Sequence, residues 1–209
     1  MGFNLLDDRF KFYGLFAGHC GLLNEAARIL ASIFHDPAAV ADRCKRIQDI
    51  EIQSRGISRE INLQLSLTMI RQMERADIHD LDIAFKSAIT ALKAVSTRIG
   101  LYDMGHIKEA ARELADNLVE LAVIVDEMLK KLPARQRAGD SAENLEKILR
   151  ESGVFLLLGL GEIYEAGQQQ TEPVMEVIKW SQIFDRIEEA IRRTEDVAQG
   201  IDALLLKLF

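Results

Sequence analysis

Residues 107–132 read IKEAARELADNLVELAVIVDEMLKKL, and this stretch decides the fold. Ile107, Ala111, Leu114, Leu118, Leu121, Val125, Met128 and Leu132 recur every three or four residues. At 3.6 residues per turn they form one stripe down an α-helix. Charged residues fill much of the other side. Nothing breaks the helix before Pro133, which is expected to end it.

The same period runs outward in both directions. Phe12, Phe16, Cys20, Leu23, Ala27, Leu30 and Phe34 predict a first helix over about 8–34. Asp36-Pro37 is a helix-start signal, a capping side chain before a residue that lacks an N–H. Ile47, Ile50, Ile57, Ile61 and Leu65 mark the second helix, and Ile78, Leu81, Phe85, Ile89, Leu92 and Ile99 the third. The break between them is expected near Glu74–Asp77, although no Gly or Pro stands there. Gly100 and Gly105 bracket the expected mid-chain turn. Beyond Pro133 a polar, partly basic loop leads to Asp140 and Glu143, which read as a capping box for a fifth helix ending near Ala166. After a loop from Gly167 to Pro173, Trp180, Ile183, Ile187, Ile191, Ala198, Ile201 and Leu205 carry a sixth. The chain therefore reads as all-α, one domain over 1–209. It is a six-helix bundle of two three-helix pseudo-repeats, approximately 1–102 and 103–209.

Composition agrees and narrows the function. Of 209 residues, 48% are hydrophobic and 28% charged, enough apolar material for a core and too little charge for disorder. Only 3 Pro and 13 Gly interrupt the helices. The 26 basic and 33 acidic residues leave a net charge of −7, which argues against a nucleic-acid backbone as partner. The longest apolar run, Val154–Leu160, is far shorter than the roughly 20 residues of a membrane span. The first residues lack the basic and apolar regions of a signal peptide. The expectation is a soluble, cytoplasmic protein that meets a membrane only through a partner. Cys20 and Cys44 are expected to be buried, reduced thiols. His19, His35, His79 and His106 are scattered, and no Glu-x-x-His tetrapeptide occurs, so no enzymatic site and no cofactor is expected.

One pattern stands out. Glu51/Arg55, Glu146/Arg150 and Glu188/Arg192 repeat an acid–base pair four residues apart, and Lys86/Thr90 holds the comparable place on the third helix. Each first residue lies beside its apolar stripe, where a side chain reaches a groove between packed helices. The same spacing also suits a solvated helix face, where such pairs contribute about 0.2–0.5 kcal/mol. Asp126/Lys130 and Glu143/Lys147 are further examples.

Several segments taken in order resemble the PhoU-like proteins, in the branch that accompanies Pit-type phosphate permeases. They are the aromatic opening at Phe10–Phe16, Ile50-Glu51 with Ile57 and Glu60-Ile61, Arg75–Leu81, and the block Ile178-Lys179-Trp180, Ile187-Glu188 and Glu195–Ala198. The resemblance implies a twofold-repeated six-helix bundle with acidic motifs that hold metal clusters on its surface. This sequence departs from those motifs. The first acids are kept at Glu51, Glu146 and Glu188, while Lys86 replaces the fourth. Arg55, Thr90, Arg150 and Arg192 stand where the partner acids would be. Hard cations need several oxygen ligands, and a unit positive charge 4 Å away costs about 4 kcal/mol at an effective dielectric near 20. The expectation is a degenerate site, with Glu51, Glu146 and Glu188 paired to Arg55, Arg150, Arg192 or Lys86 in place of a metal.

The function implied is a non-catalytic regulator or adapter of inorganic phosphate transport. It would bind a permease or signalling protein and form homo-oligomers. Candidate contact surfaces are Leu204–Phe209 and the loop Lys131–Gly139. The alternatives are a structural helical protein, dimeric and without a phosphate role, and a carboxylate-rich metal-binding protein.

Overall fold

The structure, a computed structural model, describes residues 5–36, 39–67, 72–102, 104, 106–169 and 173–207. Six helices follow one another: α1 Leu5–His35, α2 Val40–Leu67, α3 Gln72–Tyr102, α4 Glu109–Ala134, α5 Asp140–Gln169 and α6 Val174–Leu206. No strand occurs among the described residues, so the all-α six-helix reading holds.

Each helix buries one stripe and must find neighbours for it. α1, α2 and α3 pack on one another, as do α4, α5 and α6. The two groups meet along α3 against α6 and α1 against α4. Exchanging α1 with α4, α2 with α5 and α3 with α6 leaves this set of contacts unchanged. The stripes read from the sequence form the core: Phe12, Phe16, Leu23, Leu30 and Phe34 of α1 are buried, as are Leu114, Leu121 and Val125 of α4 and Ile183, Ile187 and Ile201 of α6.

Several boundaries differ from expectation. α2 ends at Leu67 and α3 begins at Gln72, so Glu74–Asp77 lies inside a helix. Gly100 is helical, since α3 continues to Tyr102. A side chain there would crowd Cys44, because its Cβ would sit 3.2 Å from Cys44 Sγ. Gly100 therefore serves close packing and not the turn, and Gly105 lies outside the described residues. Pro37 also lies outside them, and α2 starts only after Ala39, which has a φ of +56°. Pro133 occupies the last turn of α4, and the chain leaves the helix at Arg135 in the left-handed conformation. α5 begins at Asp140, so Asp140 and Glu143 are both first-turn residues, where carboxylates favour the positive end of the helix dipole.

Both cysteines are free, but only Cys20 is fully buried. Burial, followed by the charge of Asp126 and a hydrogen bond with it, pushes the Cys20 thiol up to about 12. Cys44 is half-buried and donates to the Ser96 carbonyl over 3.2 Å.

α5 packs tightly against α6 at Gly159. A Cβ there would lie 2.4 Å from Phe184 Cζ, and Phe184 is itself a core ring. We expect Gly159→Ala to destabilise the protein by about 1–3 kcal/mol through overpacking. Gly161→Ala, two residues along with nothing near its Cβ, should stabilise by about 0.5–1 kcal/mol through helix propensity. Urea midpoints of the two variants test this difference in sign.

Candidate functional site

The polar interior of the first half was not foreseen. His19 on α1 and Asp82 on α3 are buried, and His19 Nε2 donates to Asp82 Oδ1 over 3.0 Å. Ser58 on α2 donates to the same oxygen over 2.8 Å. Ser54, one turn earlier, places its hydroxyl 3.3 Å from His19 Nδ1. Phe85 stacks on the imidazole at 5.6 Å between ring centres. One carboxylate thus ties three helices together. Burial by itself raises the Asp82 pKa. Hydrogen bonds from His19 and Ser58, with the charges of His19 and Lys86, outweigh burial and hold the carboxyl below its ordinary value.

The signal for this network lies in the α2 stripe. Ile47, Ile50, Ser54, Ser58, Ile61 and Leu65 keep the helical period better than a stripe routed through Ile57, and all six are buried. Small hydroxyl residues at two stripe positions mean that a polar group waits opposite. The second half repeats the arrangement in neutral form, with Asn117 on α4 donating to Ser152 on α5 over 3.0 Å. Its partners are 35 residues apart in sequence, as are those of the Ser54–His19 contact.

Beside this network lies an open groove of about 980 Å³. α3 is its floor, and α2 and α6, which do not touch each other, are its walls. α2 contributes Glu51, Arg55, Ser58, Arg59 and Asn62; α3 contributes Lys86, Ser87 and Thr90; α6 contributes Arg186, Glu189 and Arg193. The structure thus brings together four of the eight positions singled out in the sequence: Glu51, Arg55, Lys86 and Thr90. Glu146, Arg150, Glu188 and Arg192 do not line it.

Glu51 is the best-defined member. Its side chain is 3% exposed; Oε1 accepts from Arg55 Nε over 2.5 Å and Oε2 from Lys93 Nζ over 3.3 Å. The second cation is Lys93 and not Lys86. Lys86 acts electrostatically on Asp82. The other pairs also differ from expectation. Glu146 and Arg150 meet at 3.5 Å with both side chains in water, which is the solvated-face arrangement. Arg192 pairs with Glu189 and leaves Glu188 aside. Arg193 also binds Glu189, at 2.8 Å, and adds Asp196 at 3.2 Å. Burial raises the Glu189 pKa, but hydrogen bonds from both arginines prevail and lower it. Glu188 and Glu189 are adjacent, so periodicity alone did not separate them.

The donor set in the groove does not fit a hard cation. Both oxygens of Glu51 are committed to Arg55 and Lys93, and Arg55, Lys86 and Thr90 supply no carboxylate. Among the described residues no three His, Cys, Asp or Glu side chains are grouped to hold a metal ion. The groove instead offers donors. Lys108, buried at the start of α4, is a separate feature: it binds Glu162 over 2.9 Å and lies 6.0 Å from the centre of the Trp180 ring.

Comparisons with known proteins bear out the resemblance to the PhoU-like proteins. The chain is 26% identical over 210 residues to "Putative pit accessory protein" of Rhizobium meliloti (strain 1021), covering 97% of this chain and 96% of that protein. A PhoU-like protein from Shewanella oneidensis MR-1 has the same fold, with a TM-score of 0.78 at 16% identity, covering 94% of this chain and 99% of that one. A second PhoU-like structure from the same organism matches at a TM-score of 0.77 and 16% identity. No family model matches the chain.

Asp82→Ala removes the acceptor that His19 and Ser58 share, and we expect it to cost about 3–5 kcal/mol. The depressed carboxyl also sets the sign of the acid response. Its contribution is complete above the unfolded value near 3.9 and is lost as pH falls through the lower, folded value. Urea midpoints between pH 6 and pH 3 should therefore fall more for the native chain than for Asp82→Asn.

Proposed function

We propose that this chain is a non-catalytic, cytoplasmic adapter or regulator of inorganic phosphate transport in which the family's metal site has been replaced by ion pairs. The observation that carries the reading is the end-to-end similarity to a relative named as a pit accessory protein. The groove supports the loss of metal: of the acids kept at the implied ligand positions only Glu51 lines it, and Arg55 and Lys93 hold that carboxylate. The exchangeable contacts of α1–α3 and α4–α6 support the reading of two pseudo-repeats, 1–102 and 103–209.

An adapter needs a face for its partner, and α5 has the most exposed apolar side. Val154, Leu157, Leu158 and Tyr164 are 56%, 73%, 59% and 65% exposed. At the start of α6, Val174 and Met175 are exposed as well, and Gly167 of α5 lies against Val177 of α6, so the two ends adjoin. Apolar side chains grouped in this way mark interaction surfaces. No helix among the described residues is long and apolar enough to cross a membrane. The reading therefore assigns this face to a permease. It is a better surface than the two expected from the sequence. Of Leu204–Phe209, Leu205 is buried in the core, Leu206 is exposed, and Phe209 lies outside the described residues. Of the expected stretch Lys131–Gly139, Lys131 belongs to the last turn of α4 and is turned inward to the Ala138 carbonyl and Ser141.

Deleting the gene should change phosphate uptake at limiting phosphate, and tagged protein should co-purify with a phosphate permease. Leu157→Asp together with Leu158→Asp should leave the helical circular-dichroism signal unchanged and abolish the co-purification. Unchanged uptake, or a double variant that still recovers the permease, would count against the reading. Light scattering distinguishes the alternative: a stable dimer dispersed by the same variant, with normal uptake, identifies a structural protein.

A further inference from the structure

The groove over α3 collects positive charge on a chain whose net charge is −7. Its lining carries five cations, Arg55, Arg59, Lys86, Arg186 and Arg193, against two acids, Glu51 and Glu189. Both acids are already bound by cations, Glu51 by Arg55 and Lys93, Glu189 by Arg192 and Arg193. Among the described residues no carboxylate pairs with Arg59 or Arg186, which face the groove from opposite walls. Like charges gathered on facing walls repel unless an anion lies between them.

The groove's shape restricts the anion. From Glu51 to Asn62 along α2 is about 16 Å at 1.5 Å per residue, too long for a single phosphate. A volume of about 980 Å³ falls at the upper end of the roughly 300–1,000 Å³ range of small-molecule sites. No aromatic side chain lines the groove among the described residues, so it has no platform on which a nucleobase could stack. Its apolar lining is Ile52, Ala91 and Ala94, too little to anchor a peptide helix. What remains is an extended anion with charge at regular intervals. Guanidinium groups match phosphate oxygens in two-pronged geometry, and Ser87, Thr90 and Asn62 add neutral donors.

We propose that this groove binds a short condensed-phosphate chain, of the pyrophosphate or tripolyphosphate class, between Arg59 of α2, Lys86 of α3 and Arg186 of α6. The choice of phosphate over other polyanions rests on the phosphate-transport reading; the polyanion site rests on the groove itself. Two of the contacts lead inward. Ser58 both lines the groove and donates to Asp82, and Lys86 lies in the field of the same carboxylate. The occupant therefore bears on the network that joins α1, α2 and α3.

Isothermal titration of the full chain with sodium tripolyphosphate tests this, with citrate as a polycarboxylate control. The expected result is one saturable site per chain, weakened by added salt. Arg59→Gln with Arg186→Gln should lose at least tenfold in affinity with an unchanged circular-dichroism spectrum. Arg150→Gln, outside the groove, should bind as the native chain does. No saturable binding, or a double variant that binds normally, overturns the site. Citrate binding as tightly as tripolyphosphate overturns the phosphate assignment. If uptake is unaffected by gene deletion while the titration succeeds, the transport reading fails and the anion site stands.

Discussion

A carboxylate withdrawn from water must be given donors, and the first half of this protein is organised around that requirement at Asp82. An uncompensated buried charge would cost several kcal/mol, so α1, α2 and α3 must adopt the register that brings His19 and Ser58 to one oxygen. Apolar stripes tolerate small sliding and rotation, whereas two hydrogen bonds of 3.0 and 2.8 Å do not. The second half places Asn117 and Ser152 together, a buried pair without net charge. The two halves are alike in packing and different in charge.

That difference is continued at the surface. The charged network lies under the groove that holds Glu51, Arg55 and Lys86, and Ser58 belongs to both. On the α5 side the comparable surface is Glu146 with Arg150 in open water. Among the described residues the buried charged network belongs to α1–α3, and the groove above it draws its second wall from α6. Electrostatics accounts for the pattern better than packing does, since the helix contacts exchange cleanly between halves.

Much of the fold was legible because its code is short-range. Stripes such as Ile107–Leu132 or Trp180–Leu205 state which face turns inward, and burial follows them closely. Boundaries were less legible where no Gly or Pro is needed. The chain leaves α2 after Leu67 with no strong breaker, and it uses Gly100 for contact with Cys44, so composition at these points misled. The groove was half legible. Residues on one wall share a helix face and declare themselves by spacing. Arg186, Glu189 and Arg193 become members only through tertiary packing, as does the Lys93 contact with Glu51, and such packing carries no local signature. The His19–Asp82 contact spans 63 residues, and only the two serines in the α2 stripe announced it.

The placement of that contact has a consequence for the order in which the protein is made. His19, Ser54, Ser58 and Asp82 all belong to the first three helices. Every member of this polar lock is therefore translated before α4 to α6. α3 also packs against α6, which is translated last. The register of α1–α3 is thus fixed by contacts inside the first half, and α4–α6 must be complementary to it.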